Sequence, residues 1–168
     1  MTEKIRYALN SYRWARWTAL ILVAITMMCG YFMTDVMAPL ESLLQKSEAS
    51  GGLNWTATEY GLFSGAYSFF NVFFLMLILG GLLLDRFGVR LTGLMACTLM
   101  IIGASIKAFA ISSSFPAMGD IYGINSTAVF AGLGFAIFGM GAEIAGITVT
   151  KVIVKWFTGY ELALAWGF

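Results

Sequence analysis

The chain is predicted to be an all-α, polytopic membrane protein with four transmembrane helices and the start of a fifth. Three observations predict it. Of its 168 residues, 60% are hydrophobic and only 11% are charged, whereas a soluble domain needs roughly 25% charged residues to solvate its surface. The mean hydropathy is +0.83. The apolar residues also fall into four runs of the ~20 residues that a spanning helix requires, at about 17–40, 60–83, 91–112 and 127–150, with a fifth beginning near 162.

The first run is preceded by Lys4, Arg6, Arg13 and Arg16. It is too long for a cleavable signal and lacks a clear small-residue cleavage site, so it reads as a retained anchor. Asp35 lies in its outer half, and Pro39 removes the N–H that the Asp35 carbonyl would otherwise bond. A broken helix beside an acid suits a binding site or an outer gate, and a plain membrane-water boundary equally well. The polar loop from Glu41 to Glu59 then turns at Gly51-Gly52.

The second run carries Tyr60, Ser64, Tyr67, Ser68 and Asn71 at spacings of three and four, one polar face on an apolar helix. Ser64 and Ser68 read as interhelical hydrogen-bond glue. Tyr67 and Asn71 project further and are candidate substrate contacts. The run ends in "GGLLLDRFGVR", a tight hairpin into the third run. Lys107, near the outer end of that third run, is expected to snorkel towards the interface.

The loop "SSSFPAMGDIYGINS" leads into the fourth run. "NWT" at Asn54 and "NST" at Asn125 are formal glycosylation sequons on the outer side. In the fourth run Gly132, Gly139 and Gly146 recur every seven residues and form a stripe for close helix approach. Glu143 lies near that face. An ionisable residue there costs at least about 2.5 kcal/mol and marks a functional site by default, the alternative being a structural ion pair.

Eight of the ten basic residues fall on one side: the four named above, Arg86, Arg90, Lys151 and Lys155. The positive-inside rule makes that side cytoplasmic, with the N-terminus there. The expected setting is a plasma (inner) membrane, with a lysosomal membrane as the alternative. The net charge of +1 speaks against nucleic acid. No His is present, which excludes imidazole zinc sites and Ser-His-Asp chemistry. Cys29 and Cys97 sit in apolar runs as small hydrophobes. With no nucleophile–base pair and no metal-ligand cluster, no enzyme, metal or cofactor is expected.

The hairpin resembles the signature loop of the major facilitator superfamily, Gly-x-Leu-x-Asp-Arg-x-Gly followed by basic residues. The matching positions are Gly81, Leu83, Asp85, Arg86, Gly88 and Arg90, with Val89 where many members carry a second base. The loop also follows the second run and lies on the cytoplasmic side. The resemblance implies part of a six-helix N-terminal half, with Asp85 and Arg86 in a charge relay at the gate and Asp85 facing a helix of the second half. The block "IFGMGAEIAGITVTKVIVKWFTGYELALAWGF" is similar to the branch that transports dipeptides. Phe135 stands where many members have an Arg.

These readings imply a secondary transporter that moves a small solute, a dipeptide or similar zwitterion, by alternating access. Glu143, Tyr67, Asn71 and Asp35 would bind the solute, and Glu143 would take its positive end. Proton coupling would run through Glu143 or Asp35, with uncoupled facilitation equally open. The expected partners are the lipid bilayer, the solute and a C-terminal half, the chain being read as an N-terminal fragment. The alternative is a stand-alone four-span scaffold or assembly protein.

Overall fold

The computed structural model describes residues 12–116, 118–159 and 161–167. Lys4 and Arg6, counted above for topology, lie outside the described residues. The described residues form helices and no named strand. In order they are α1 (Arg13–Asp35), a short α2 (Glu41–Leu44), α3 (Ala57–Phe73), α4 (Met76–Ala110), α5 (Ser126–Phe157) and a short α6 (Leu162–Trp166). Three helical segments, Arg13–Leu44, Met76–Ala110 and Ser126–Phe157, are long and apolar enough to cross a membrane. Their outer surfaces agree: Leu22, Met28, Phe32, Leu77, Leu94 and Ile101 are all exposed. Such a surface calls for an apolar surrounding rather than water.

Helix α5 is the centre. Over half of its apolar window is buried, 56% against 11% and 17% for the other two segments. Two small-residue faces explain this. Gly132 and Gly139 lie against α3, where a Cβ at Gly139 would stand 2.6 Å from the Tyr67 carbonyl oxygen. Gly134 and Gly141 lie against α4, where a Cβ at Gly134 would stand 2.5 Å from the Lys107 amide nitrogen. The reciprocal glycine is Gly103, whose Cβ would meet the Phe138 nitrogen at 2.3 Å. Backbones this close gain dispersion contacts that no larger side chain permits. The expected stripe therefore continues differently: Gly146 meets nothing within 4 Å, and the second face, Gly134 and Gly141, has the same seven-residue spacing.

Helix α4 is not straight. Gly88 has φ 76° and ψ 170°, a conformation that favours glycine. The Thr92 hydroxyl donates to the Leu83 carbonyl at 3.3 Å, although nine residues of straight helix would separate them by about 13.5 Å. The chain reverses here, so the Gly88–Ala110 arm runs back along α5. Ahead of the reversal, the run expected at about 60–83 is divided between two helices. Phe74 closes α3, and Leu75 takes a left-handed φ of 46° before Met76 starts α4. Aromatic residues are weak helix formers, and the break follows the packed pairs Phe69–Phe73 and Phe70–Phe74.

At the other end of the bundle a polar network ties the 53–59 segment to the start of α5. Thr56 and Glu59 form a capping box on α3, and the Glu59 carboxylate also accepts the Asn125 N–H. The Asn125 side chain caps α5 by accepting from Thr127 and donates to the Leu53 carbonyl. Its amide is thus committed to structure rather than free as a sequon. Trp55 Nε1 donates to Thr127 Oγ1 at 2.7 Å.

Two outcomes follow from this packing. Gly103→Ala should cost about 1–3 kcal/mol by overpacking, whereas Gly65→Ala, with open space around it, should gain about 0.5–1 kcal/mol of helix propensity; thermal unfolding in detergent measures both. Burial opposes ionisation of Glu59, but the N–H groups of Thr56 and Asn125 and the Thr56 hydroxyl outweigh it and hold the carboxylate below its ordinary range. A lowered folded-state pKa means stability present above the ordinary glutamate range and lost as pH falls through Glu59's own value. Unfolding followed against pH should show this acid loss, reduced in Glu59→Gln.

Candidate functional site

Glu143 sits near the middle of α5 and is half-buried. It faces a cavity of about 80 Å³ lined also by Met27, Gly30, Tyr31 and Thr34 of α1 and Tyr67 of α3. Helix α5 supplies the acid, and the Gly139 approach brings Tyr67 across to it. Among the described residues Glu143 makes no ion pair and no hydrogen bond, so the structural-pair reading has no partner there. The volume has room for a few waters. That suits an ammonium-sized group rather than a whole peptide.

Tyr67 is half-buried, with its ring 5.2 Å from that of Phe135. Asn71, one turn on, donates to the Tyr67 carbonyl at 3.0 Å, and its Oδ1 is buried with no hydrogen-bond partner among the described residues. Asp35 is exposed at the last position of α1, and the chain continues through a short turn, Ala38–Leu40, that contains Pro39. The structure therefore gathers Glu143 and Tyr67 at one cavity. Asn71 stands beside it, and Asp35, at the last position of α1, is not among its lining residues.

The hairpin residues form a separate site at the opposite end of the bundle. Asp85 pairs with Lys151 of α5 at 2.6 Å, with both side chains solvent-accessible. Arg86 lies over the Phe87 ring at 5.5 Å, while Gly81 has open space and Arg90 is exposed. Arg13 and Glu161 approach at 3.4 Å near the same end. Sequence reading did not identify Lys151 as the partner of Asp85; the spacing of 66 residues carries no local signal.

Lys107 corrects the expectation of a snorkelling charge. It is 3% exposed, and its ammonium donates to the Met33 carbonyl of α1 at 2.8 Å. It also lies 4.7 Å above the Phe135 ring and 5.5 Å from that of Phe138. Phe135 in turn stacks on Phe63 at 4.9 Å. Phe135 is thus an aromatic platform for a cation supplied by α4. A second, open groove of about 500 Å³ between α3 and α5 is apolar apart from Glu59, a surface suited to lipid or a packed helix.

The chain is 30% identical over 152 residues to the lysosomal dipeptide transporter MFSD1 of Mus musculus, which covers 87% of this chain and 29% of that protein. The chain therefore spans less than a third of that relative's length, and its relationship to a transporter is distant and partial. No family model matches. No solved structure matches either.

Proposed function

We propose that the chain forms part of a secondary transporter of the major facilitator type that moves a small zwitterion, a dipeptide or close analogue, by alternating access. One observation carries this reading: a carboxylate at mid-helix faces a cavity instead of lipid and has no partner among the described residues. Such a charge costs at least about 2.5 kcal/mol, and a solute cation would offset that cost when bound. The mouse relative, a dipeptide transporter by name, supports the solute class. The scaffold reading gives Glu143 no role.

In this account Glu143 holds the positive end of the solute, with the Tyr67 hydroxyl beside it. The free Asn71 Oδ1 accepts a solute N–H once the α3–α5 contact loosens, and Asp35 attracts cations towards the mouth. Protons enter through Glu143 or Asp35 where transport is coupled. The remaining surface of the solute meets the rest of the transporter.

The fold supports four crossings. Helix α3 and the Met76–Phe87 arm together make the second crossing, and Gly88–Ala110 makes the third. Gly81 and Gly88 shape the hairpin, and Asp85, Arg86 and Arg90 form the gate, with the Asp85–Lys151 pair latching the hairpin to α5. The excess of basic residues on the hairpin side supports a cytoplasmic gate, and a plasma (inner) membrane is the setting we propose.

Titration of alanyl-alanine into the chain in lipid nanodiscs tests the site. Binding should weaken on the order of 10- to 100-fold in Glu143→Gln, the worth of a charge-assisted hydrogen bond. N-acetyl-alanyl-alanine, which lacks the ammonium, should bind the unaltered chain as weakly as alanyl-alanine binds the variant. Equal affinity for both peptides, or none for either, would sink the reading.

A further inference from the structure

Helix α1 is the least anchored wall of the Glu143 cavity. It meets the bundle chiefly along α5, and most of its large side chains point outward. Yet it contributes Tyr31 and Thr34 to the cavity lining. Met33, between them, lies in the last turn of α1, where carbonyls lack a following N–H partner. That turn carries no basic residue of its own. The Lys107 ammonium takes its place from α4, bonding the Met33 carbonyl at the negative end of the α1 dipole.

The same ammonium rests on Phe135, which is also in contact with Tyr67. One buried cation therefore bears on two of the walls around Glu143: α1 through Met33, and α3 through Phe135 and Tyr67. The tight Gly103–Gly134 crossing beside it fixes the Lys107 backbone against α5. The lysine reaches from a fixed backbone position in the α4–α5 core to the loose helix. Among the described residues both ion pairs, Asp85–Lys151 and Arg13–Glu161, lie at the far end of the bundle. The counter-charge for Lys107 is thus the end of α1 itself.

We propose that Lys107 is a positioning residue that caps α1 from outside and holds it closed over the Glu143 cavity, and that release of Met33 from Lys107 opens the cavity on that side. Its significance for solute passage rests on the function proposed for Glu143, but the clamp is testable without any solute. A cation near the bare carbonyls of the last turn favours the docked helix. When α1 moves away, the ammonium loses its hydrogen bond while still enclosed by Phe135 and Phe138, so intermediate positions are disfavoured. The result is a two-position element rather than a continuously sliding one.

The test is a distance measurement on the full chain in lipid nanodiscs, with Cys29 and Cys97 replaced by Ser. Spin labels at Phe32→Cys and Phe109→Cys sit on exposed positions near Met33 and Lys107. A second pair at Leu94→Cys and Val154→Cys reports the α4–α5 packing. Lys107→Gln and Lys107→Met should each raise the ratio of separated to docked α1 about tenfold or more, the loss of one charge-assisted hydrogen bond. The α4–α5 distance should stay unchanged. Lys107→Arg, which keeps a cation and donors, should restore the docked population. An unchanged α1 distance in both uncharged variants would overturn the clamp. Loosening of both label pairs together would overturn it as well, since Lys107 would then be a general packing residue. Failure of peptide binding with an intact clamp response would count against the solute reading alone.

Discussion

Everything in this bundle depends on how closely two neighbours can approach α5. A helix with ordinary side chains keeps its partners 8–10 Å away. Here glycines on two faces remove that limit. Gly132 and Gly139 admit α3, and Gly134, Gly141 and the facing Gly103 admit the returning arm of α4. In lipid there is little hydrophobic drive between helices, so such contacts and interhelical hydrogen bonds carry the association. The glycine at position 139 also brings the Tyr67 ring to the Glu143 cavity. Packing and site are consequences of one constraint.

The charges follow a division of labour between the two ends. At the hairpin end, Asp85–Lys151 and Arg13–Glu161 are solvent-accessible pairs, and exposed pairs contribute little to stability. They can break and re-form cheaply, which suits the gate we propose. Among the described residues Glu143 and Lys107 make no ion pair: Glu143 faces its cavity, and Lys107 is satisfied by a carbonyl and aromatic faces. Buried single charges are costly to leave uncompensated, so each makes the position of a neighbouring group matter. One acts on a solute in our account and the other on a helix.

Much of the helical layout was legible because hydropathy and glycine are local signals. The tight turn at Gly88 and the inward placement of Glu143 both follow from residue type and spacing. Other features were hidden for physical reasons. The second glycine face has the same seven-residue period as the first, so spacing alone does not say which stripe meets which neighbour. The break at Phe74 and Leu75 involves apolar residues and leaves no mark on a hydropathy profile. Lys107 was misread because a long cationic side chain is free to turn outward or inward, and the direction depends on helix rotation and on an aromatic floor drawn from another helix. Lys151 and Asp85 lie on different helices and meet only through the packing of α4 on α5. Asn125, a formal sequon by pattern, is a helix cap by geometry, a role that its pattern does not announce.

The four-crossing arrangement around α5 is the central claim, since the gate and the cavity must lie at different depths for alternating access. Single cysteines at Ser50, Arg86, Tyr122 and Thr158, in a chain whose native cysteines are replaced by Ser, should be probed with an impermeant maleimide in sealed vesicles. The account predicts that positions 50 and 122 label from one face, and 86 and 158 only from the other. Labelling of 50 and 86 from the same face would mean that α3 and the Met76–Phe87 arm do not cross the membrane, and the account would be contradicted.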